Sequence, residues 1–255
     1  MKPRTLKRLG LVLATLGFVV FKAPARLLDS ALAHATEGGL RLQQTEGSLW
    51  QGHGVLASLG PDGRSLLPWL PLGWDFTPRS LLGLGVGWQL SSGGIPLGQF
   101  SLGLGGLALE HFQFRASAPA LLSPIPTPVT RAGWQGDLGL DIPALHCSLT
   151  GQCQGDARLL WRGARSALFP GRNFGDYAIS LQLRGERYSY QIQTLTGEIR
   201  LDARGEGLLK GPPTLQGRIQ GDPDFLRRLP SIAGGAARPG NKDGDFILKW
   251  PPSSP

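Results

Sequence analysis

Two cysteines, four histidines and seven tryptophans are the residues of this chain with the most chemistry to offer. Cys147 and Cys153 are separated by Ser-Leu-Thr-Gly-Gln, and Gly151 lets the chain fold back so that the sulfurs meet. In an oxidising compartment that spacing makes a disulfide worth roughly 2 kcal/mol. The alternative is a pair of small buried thiols. A metal site is short of ligands, since His146 is the one obvious further donor nearby. His34, His53, His111 and His146 show no HExxH-like spacing and no adjoining acid cluster. His53, in Gln51-Gly52-His53-Gly54, reads as a surface histidine in a glycine turn. There is no G-x-S-x-G elbow and no P-loop. The glycine runs Gly83–Gly87 and Gly103–Gly106 sit among strand-like segments with no helix following, so they fail the test of a phosphate cradle. Acidic residues are scattered singly, as on a solvated face, and not paired as general acid and base. The expectation is a chain with no catalytic, cofactor-binding or metal-binding residues, hence not an enzyme. Among the tryptophans, Trp134 and Trp161 fall in apolar phase and belong to a core. Trp69 and Trp74, beside the prolines of Leu66–Gly73, are the candidates for an exposed apolar contact surface.

The elements that hold these residues are mostly strands. Glycine (38) and proline (21) exceed a fifth of the 255 residues, and charged residues make up only 17%, which favours short strands and many turns. Hydrophobic residues at 41% argue against a disordered chain. In Asp176–Arg184, Tyr177, Ile179, Leu181 and Leu183 share one face, while Asp176, Ser180, Gln182 and Arg184 share the other. The pattern continues through Tyr188, Tyr190 and Ile192, then Ile199, Leu201 and Ala203, then Leu215 and Ile219. It is present upstream at Trp134, Leu138, Leu140 and Ile142. This is an antiparallel meander with one apolar and one polar face. In the first half, Gly38–Leu42, Val55–Leu59, Leu72–Phe76, Val86–Leu90, Phe100–Leu104 and Leu107–Arg115 are candidate strands. A phase slip between Leu109 and Phe112 predicts a bulge near Glu110–His111. Short helices are expected at Pro78–Leu82 and at Pro223–Leu229, the latter with Asp222 as N-cap. Prolines make Ser117–Thr130 a crossover between two halves, 36–116 and 131–230. Ala233–Asp245 reads as a loop, Phe246–Trp250 as a last strand, and 251–255 as a frayed tail. The whole is mainly β: a twisted antiparallel sheet over 36–250, either an open groove or a closed sandwich, with one or two short helices.

The charge of +8 is placed for a membrane and not for nucleic acid. Lys2, Arg4, Lys7, Arg8, Lys22 and Arg26 supply six positive charges with no acid in residues 1–28, leaving +2 for the rest. No basic patch interleaved with aromatics appears beyond them. The first four precede the apolar run Leu9–Phe21, which Lys22 closes. That run reaches about 20 Å as a helix against a hydrocarbon core of about 30 Å. A cleaved signal peptide and an uncleaved anchor both remain open. The anchor is favoured because Lys22 and Arg26 can snorkel and Leu27, Leu28, Ala31 and Leu32 extend an apolar stripe. Residues 1–35 are then a cytoplasmic tip and a single transmembrane helix. The charge asymmetry puts the N-terminus in the cytoplasm and the bulk in the periplasm.

Several segments in this order resemble a known family, the type II secretion system protein N (general secretion pathway protein N). Glu46-Gly47-Ser48-Leu49-Trp50-Gln51-Gly52 is similar to the family's Gly-Thr-Leu-Trp-x-Gly segment, with serine for threonine at Ser48. Pro71–Leu82, with Gly73-Trp74-Asp75-Phe76 inside it, is similar to a second block. Gly155–Trp161, after the cysteine pair, is similar to a third. Gly175-Asp176-Tyr177, Leu195–Ile199 and Leu215–Ile219 resemble the closing meander. The likeness spans Leu9 to Leu229, and the Ala233–Asp245 loop departs from it. It implies a non-catalytic, accessory inner-membrane component of the machine that exports folded proteins from the periplasm across the outer membrane. Its implied partners are the other inner-membrane components, met through strand edges or apolar surface. The sheet also resembles the AsmA-like envelope proteins, which implies lipid in an apolar groove as the alternative role.

Overall fold

The structure is a computed structural model that describes Phe18 and residues 22–60, 64–122, 133–227 and 236–251. The run Leu9–Phe21 lies outside the described residues except for Phe18, as does 123–130 of the expected crossover. No helix among the described residues is long and apolar enough to cross a membrane.

After helix α1 (Arg26–Ala35), the chain forms one open antiparallel sheet of fourteen strands. Its first six are β1 (Leu40–Gly47), β2 (Gln51–Leu59), β3 (Leu66–Phe76), β4 (Gly85–Ser92), β5 (Ile95–Gly103) and β6 (Gly106–Ser117). Helix α2 (Ala118–Leu122) follows, then β7 (Trp134–Cys147), β8 (Cys153–Ser166), β9 (Gly175–Gly185), β10 (Arg187–Thr196), β11 (Arg200–Leu208) and β12 (Leu215–Gln220). The chain closes with α3 (Pro223–Leu226), β13 (Ala237–Pro239) and β14 (Asp245–Trp250). Strand order follows chain order to β12, after which β14 lies between β12 and β13. The expected meander is therefore present, as a single sheet with no second sheet packed on it among the described residues. Pairing passes without a break from β6 to β7, from Leu107↔Cys147 to Ser117↔Asp137, so 117–130 joins neighbouring strands.

Alternation sets the apolar face, and three clusters cover parts of it. Ala25 packs with Leu42 and Trp74, joined by Leu28 and Leu32 of α1. Leu70, Leu97 and Phe114 form a second cluster with Leu121 of α2. Phe174, Tyr177, Ile199, Ile219, Leu226 and Phe246 form the third. Arg172 fastens the β8–β9 loop at this cluster, donating to Asp222 at 2.9 Å and Glu198 at 3.2 Å. Asp222 caps α3 by accepting from the Asp224 amide. The apolar stripe of α1 is thus shared with the sheet: Leu28 and Leu32 face Leu42 and Trp74, while Leu27 stays exposed. That places 26–35 with the sheet and not with the apolar run before it.

The expected bulge is centred on His111, whose φ of +51° is left-handed. It is shared: the β7–β8 register shifts between Asp141 and Ala144, opposite His111, so β6 and β7 keep their own register while both reset their phase. The prolines of β3 are tolerated because Pro68 and Pro71 precede the stretch Gly73–Phe76 that pairs with β4, so they leave no ladder bond missing there.

Candidate functional site

The two tryptophans singled out for exposure are turned inward. Trp74 is 3% exposed, and its Nε1–H donates to the Ser48 carbonyl at 3.0 Å. Burying so large a ring outweighs any gain from displaying it, contributing about 2–3 kcal/mol. Trp69 is half-buried against Phe114, ring centroids 5.6 Å apart, and its Nε1 is buried without a hydrogen-bond partner. Trp74 is therefore not a free contact residue. Trp134 and Trp161 pack edge to face at 5.3 Å beside the third cluster.

Cys147 and Cys153 are bonded as a disulfide and are cross-strand partners closing the β7–β8 hairpin. The histidines are dispersed: His34, His53, His111 and His146 are all exposed on separate elements. His53 Nε2 lies 3.4 Å from Glu46, both well exposed. No three metal-ligating side chains come together among the described residues. Burial, with the nearby Asp176 charge, pushes the Tyr177 phenol above its ordinary value, so it stays protonated. Its hydroxyl is shared between the Ile199 carbonyl at 2.9 Å and that of Phe174 at 3.2 Å, a structural role.

What the fold assembles instead is a wide apolar surface. Register carries one row across eight strands: Trp88, Phe100, Leu109, Leu145, Gly155, Leu183, Tyr188 and Gly207. A parallel row runs Phe114, Leu140, Leu159, Ile179, Ile192, Ala203, Gly217 and Leu248. The large side chains of the first row are half-buried. Tyr188 and Tyr190 stack and lie across the glycines of β11: a Cβ at Gly207 would stand 2.7 Å from the Tyr188 hydroxyl, and one at Gly205 2.5 Å from that of Tyr190. Tyr190 donates to the Thr214 carbonyl at 2.8 Å, which pins the ring to the sheet. The result is a flat aromatic floor with the Tyr190 hydroxyl tied down. The opposite face is polar, with shallow hollows of about 540 and 520 Å³ lined by such residues as Gln182, Gln191, Arg204 and Glu206, and Arg200, Asp202 and Arg218.

Both strand edges are partly protected. Asp29 of α1 accepts from the outward amide of Leu42 at 2.8 Å and grips the Arg41 guanidinium at 2.9 and 2.6 Å. Thr36 accepts from the Leu40 amide at 3.0 Å. The far edge, β13, is three residues long and ends in Pro239, which has no N–H to offer. This partial protection leaves the apolar face as the broader contact surface.

The sequence model of the type II secretion system protein N family matches residues 38–244, from the start of the sheet to the last turn. The chain belongs to that family. No curated protein and no solved structure matches it. The family is a component of a secretion machine, and the segments that carry the resemblance are structural here. Gly47-Ser48-Leu49-Trp50-Gln51-Gly52 is the β1–β2 hairpin, whose turn carbonyls at Ser48 and Leu49 accept from the indoles of Trp74 and Trp88 at 3.0 and 2.9 Å. Gly47 has φ +95°, and a Cβ at Gly52 would stand 2.7 Å from the Trp74 ring, so both positions require glycine. Trp50 packs edge to face on Phe76 at 5.1 Å. Sequence reasoning missed the edge-sealing Asp29, which has no motif, and the tyrosine–glycine pairing, whose signal was Tyr-x-Tyr in one strand facing Gly-x-Gly in the next.

Proposed function

We propose that this chain is an accessory inner-membrane component of the type II secretion system, supporting export of folded proteins from the periplasm across the outer membrane by binding other components. The observation that carries the reading is the family match over residues 38–244, which takes in every strand but the last. Residues 1–21 act as the single-pass anchor with the N-terminus in the cytoplasm, and the sheet is periplasmic. The basic residues before Leu9 and the Cys147–Cys153 disulfide support that topology. Binding uses the half-open apolar face, because both edges are partly protected. In a strain whose export depends on this system, removal of the chain lowers export and folded substrate accumulates in the periplasm. Wild type restores export, whereas Leu181→Glu with Ile192→Glu does not. Unchanged export without the chain overturns the reading.

One observation favours a second reading, an envelope lipid-binding or assembly factor: the apolar row from Phe100 to Tyr188 is continuous and half-open, as acyl chains require. Stoichiometric phospholipid or lipopolysaccharide on the purified protein, without secretion components, is the result that would replace the first reading by this one.

A further inference from the structure

An antiparallel meander puts alternate turns at the same end of the sheet. At one end lie the β1–β2 turn, the loop between β3 and β4, the β5–β6 turn and the β7–β8 turn. They are adjacent in space: the Phe76 amide donates to the Trp50 carbonyl at 2.7 Å, and a Cβ at Gly103 would stand 3.3 Å from the Leu84 carbonyl. A Cβ at Gly106 would stand 2.8 Å from the Ser148 Cα. These turns present leucine to solvent: Leu82 is 89% exposed, Leu84 74%, Leu104 80% and Leu149 74%. Above them Leu102 and Leu107, themselves cross-strand partners, are exposed too, so the rim runs on into the half-open apolar face. Scattered exposed leucines are ordinary on a protein surface, but a leucine in three successive turns along one rim is a patch.

The rim has a distinct charge. Residues 48–50, 77–84, 103–106 and 147–153 contain no Asp or Glu, and Arg79 lies among them; Glu186, in the β9–β10 turn beyond them, is the first acid along this end. Turns at the other end of the sheet carry Glu198, Asp222, Asp224 and Asp243. The N-terminal segment enters the fold at this same rim. The Leu49 amide donates to the Ala23 carbonyl at 2.8 Å, the Ala25 amide to the Gly47 carbonyl at 3.3 Å, and Pro24 bridges to Ser48. Lys22 immediately precedes the junction, and the apolar run 9–21 precedes Lys22.

From leucine exposure, the absence of acids in these four turns and the entry of the N-terminal segment, we infer that this part of the rim seats in the surface of an anionic lipid bilayer. Leu82, Leu104 and Leu149 enter the interface, Arg79 and Lys22 meet the headgroups, and the sheet stands on the membrane by its turns. The inference rests on the reading of residues 1–21 as an anchor, and goes beyond it by orienting the sheet.

The test uses the full chain reconstituted in liposomes of phosphatidylethanolamine and phosphatidylglycerol containing doxyl-labelled phospholipid. An environment-sensitive NBD label is attached to single introduced thiols at Leu82→Cys, Leu104→Cys, Leu149→Cys, Ile95→Cys or Phe18→Cys, the native cysteines being tied up as a disulfide. Ile95, 70% exposed at the opposite end of the sheet, is the control. The rim labels shift to the blue and are quenched by doxyl lipid, and the label at position 95 is not. Rim labels as wet as position 95, with position 18 quenched, overturn the seating and leave the anchor standing. Rim and position 18 both wet overturn the two together. Rim labels quenched with position 18 wet keep the seating and overturn the anchor.

Discussion

Trp74 and Trp69 sit five residues apart on one strand, yet their indole N–H groups meet opposite fates. That of Trp74 reaches the Ser48 carbonyl, and that of Trp69 is buried with nothing to bond. Trp74→Phe therefore loses a buried hydrogen bond along with volume, and should lower unfolding free energy by about 2 kcal/mol in a denaturant titration. Trp69→Phe relieves an unmet donor and should cost less than half as much. Equal losses would mean that the hydrogen bond contributes nothing. Asp29 gives a pH-dependent prediction. The Arg41 guanidinium bonded to it, aided by the Leu42 amide, holds its carboxyl below the usual range. A depressed folded value means that its contribution is full above the unfolded value of 3.8 and is lost as pH falls through the lower folded value. Asp29→Asn should cost about 1 kcal/mol at neutral pH, since Arg41 is partly exposed. The gap to wild type should close in acid, and exchange of the Leu42 amide should quicken in the variant.

At the scale of elements, the β7–β8 hairpin carries the disulfide at its closed end. Cys147→Ser with Cys153→Ser should lower stability by about 2 kcal/mol in thermal unfolding, with the sheet retained in circular dichroism. β7, β9, β10, β11, β12 and β14 were legible because alternating runs have one buried face, so phase and burial agree; β8 was not read as a strand. Earlier strands were read short because register shifts at Gln43–Glu46, Leu56–Ala57 and Leu90–Ser91 reset the phase within each. The slip at His111 was legible because both sides of it carry large apolar residues. The exposure of Trp69 and Trp74 was misread because prolines in β3 suggest a loop, whereas β3 lacks its β4 partner where they sit. Strand β13, three residues inside a glycine- and proline-rich stretch, offered no alternation to read.

The whole molecule is one sheet with two unlike faces and two unlike ends. Which face meets partners was not legible in sequence, because open groove and closed sandwich share one alternation, and only the absence of a second packed sheet among the described residues separates them. Partial protection of both edges favours binding at the apolar face and limits sheet-to-sheet aggregation. Secretion components are expected to bind there. The most direct measurement is site-specific photocrosslinking in intact cells, comparing Leu183 and Tyr188 on the apolar face with Gln182 and Gln191 on the polar one. Adducts with other inner-membrane type II secretion components from Leu183 and Tyr188, and none from the glutamines, are the predicted result. Adducts from the polar face alone, or none with any secretion component, would contradict it.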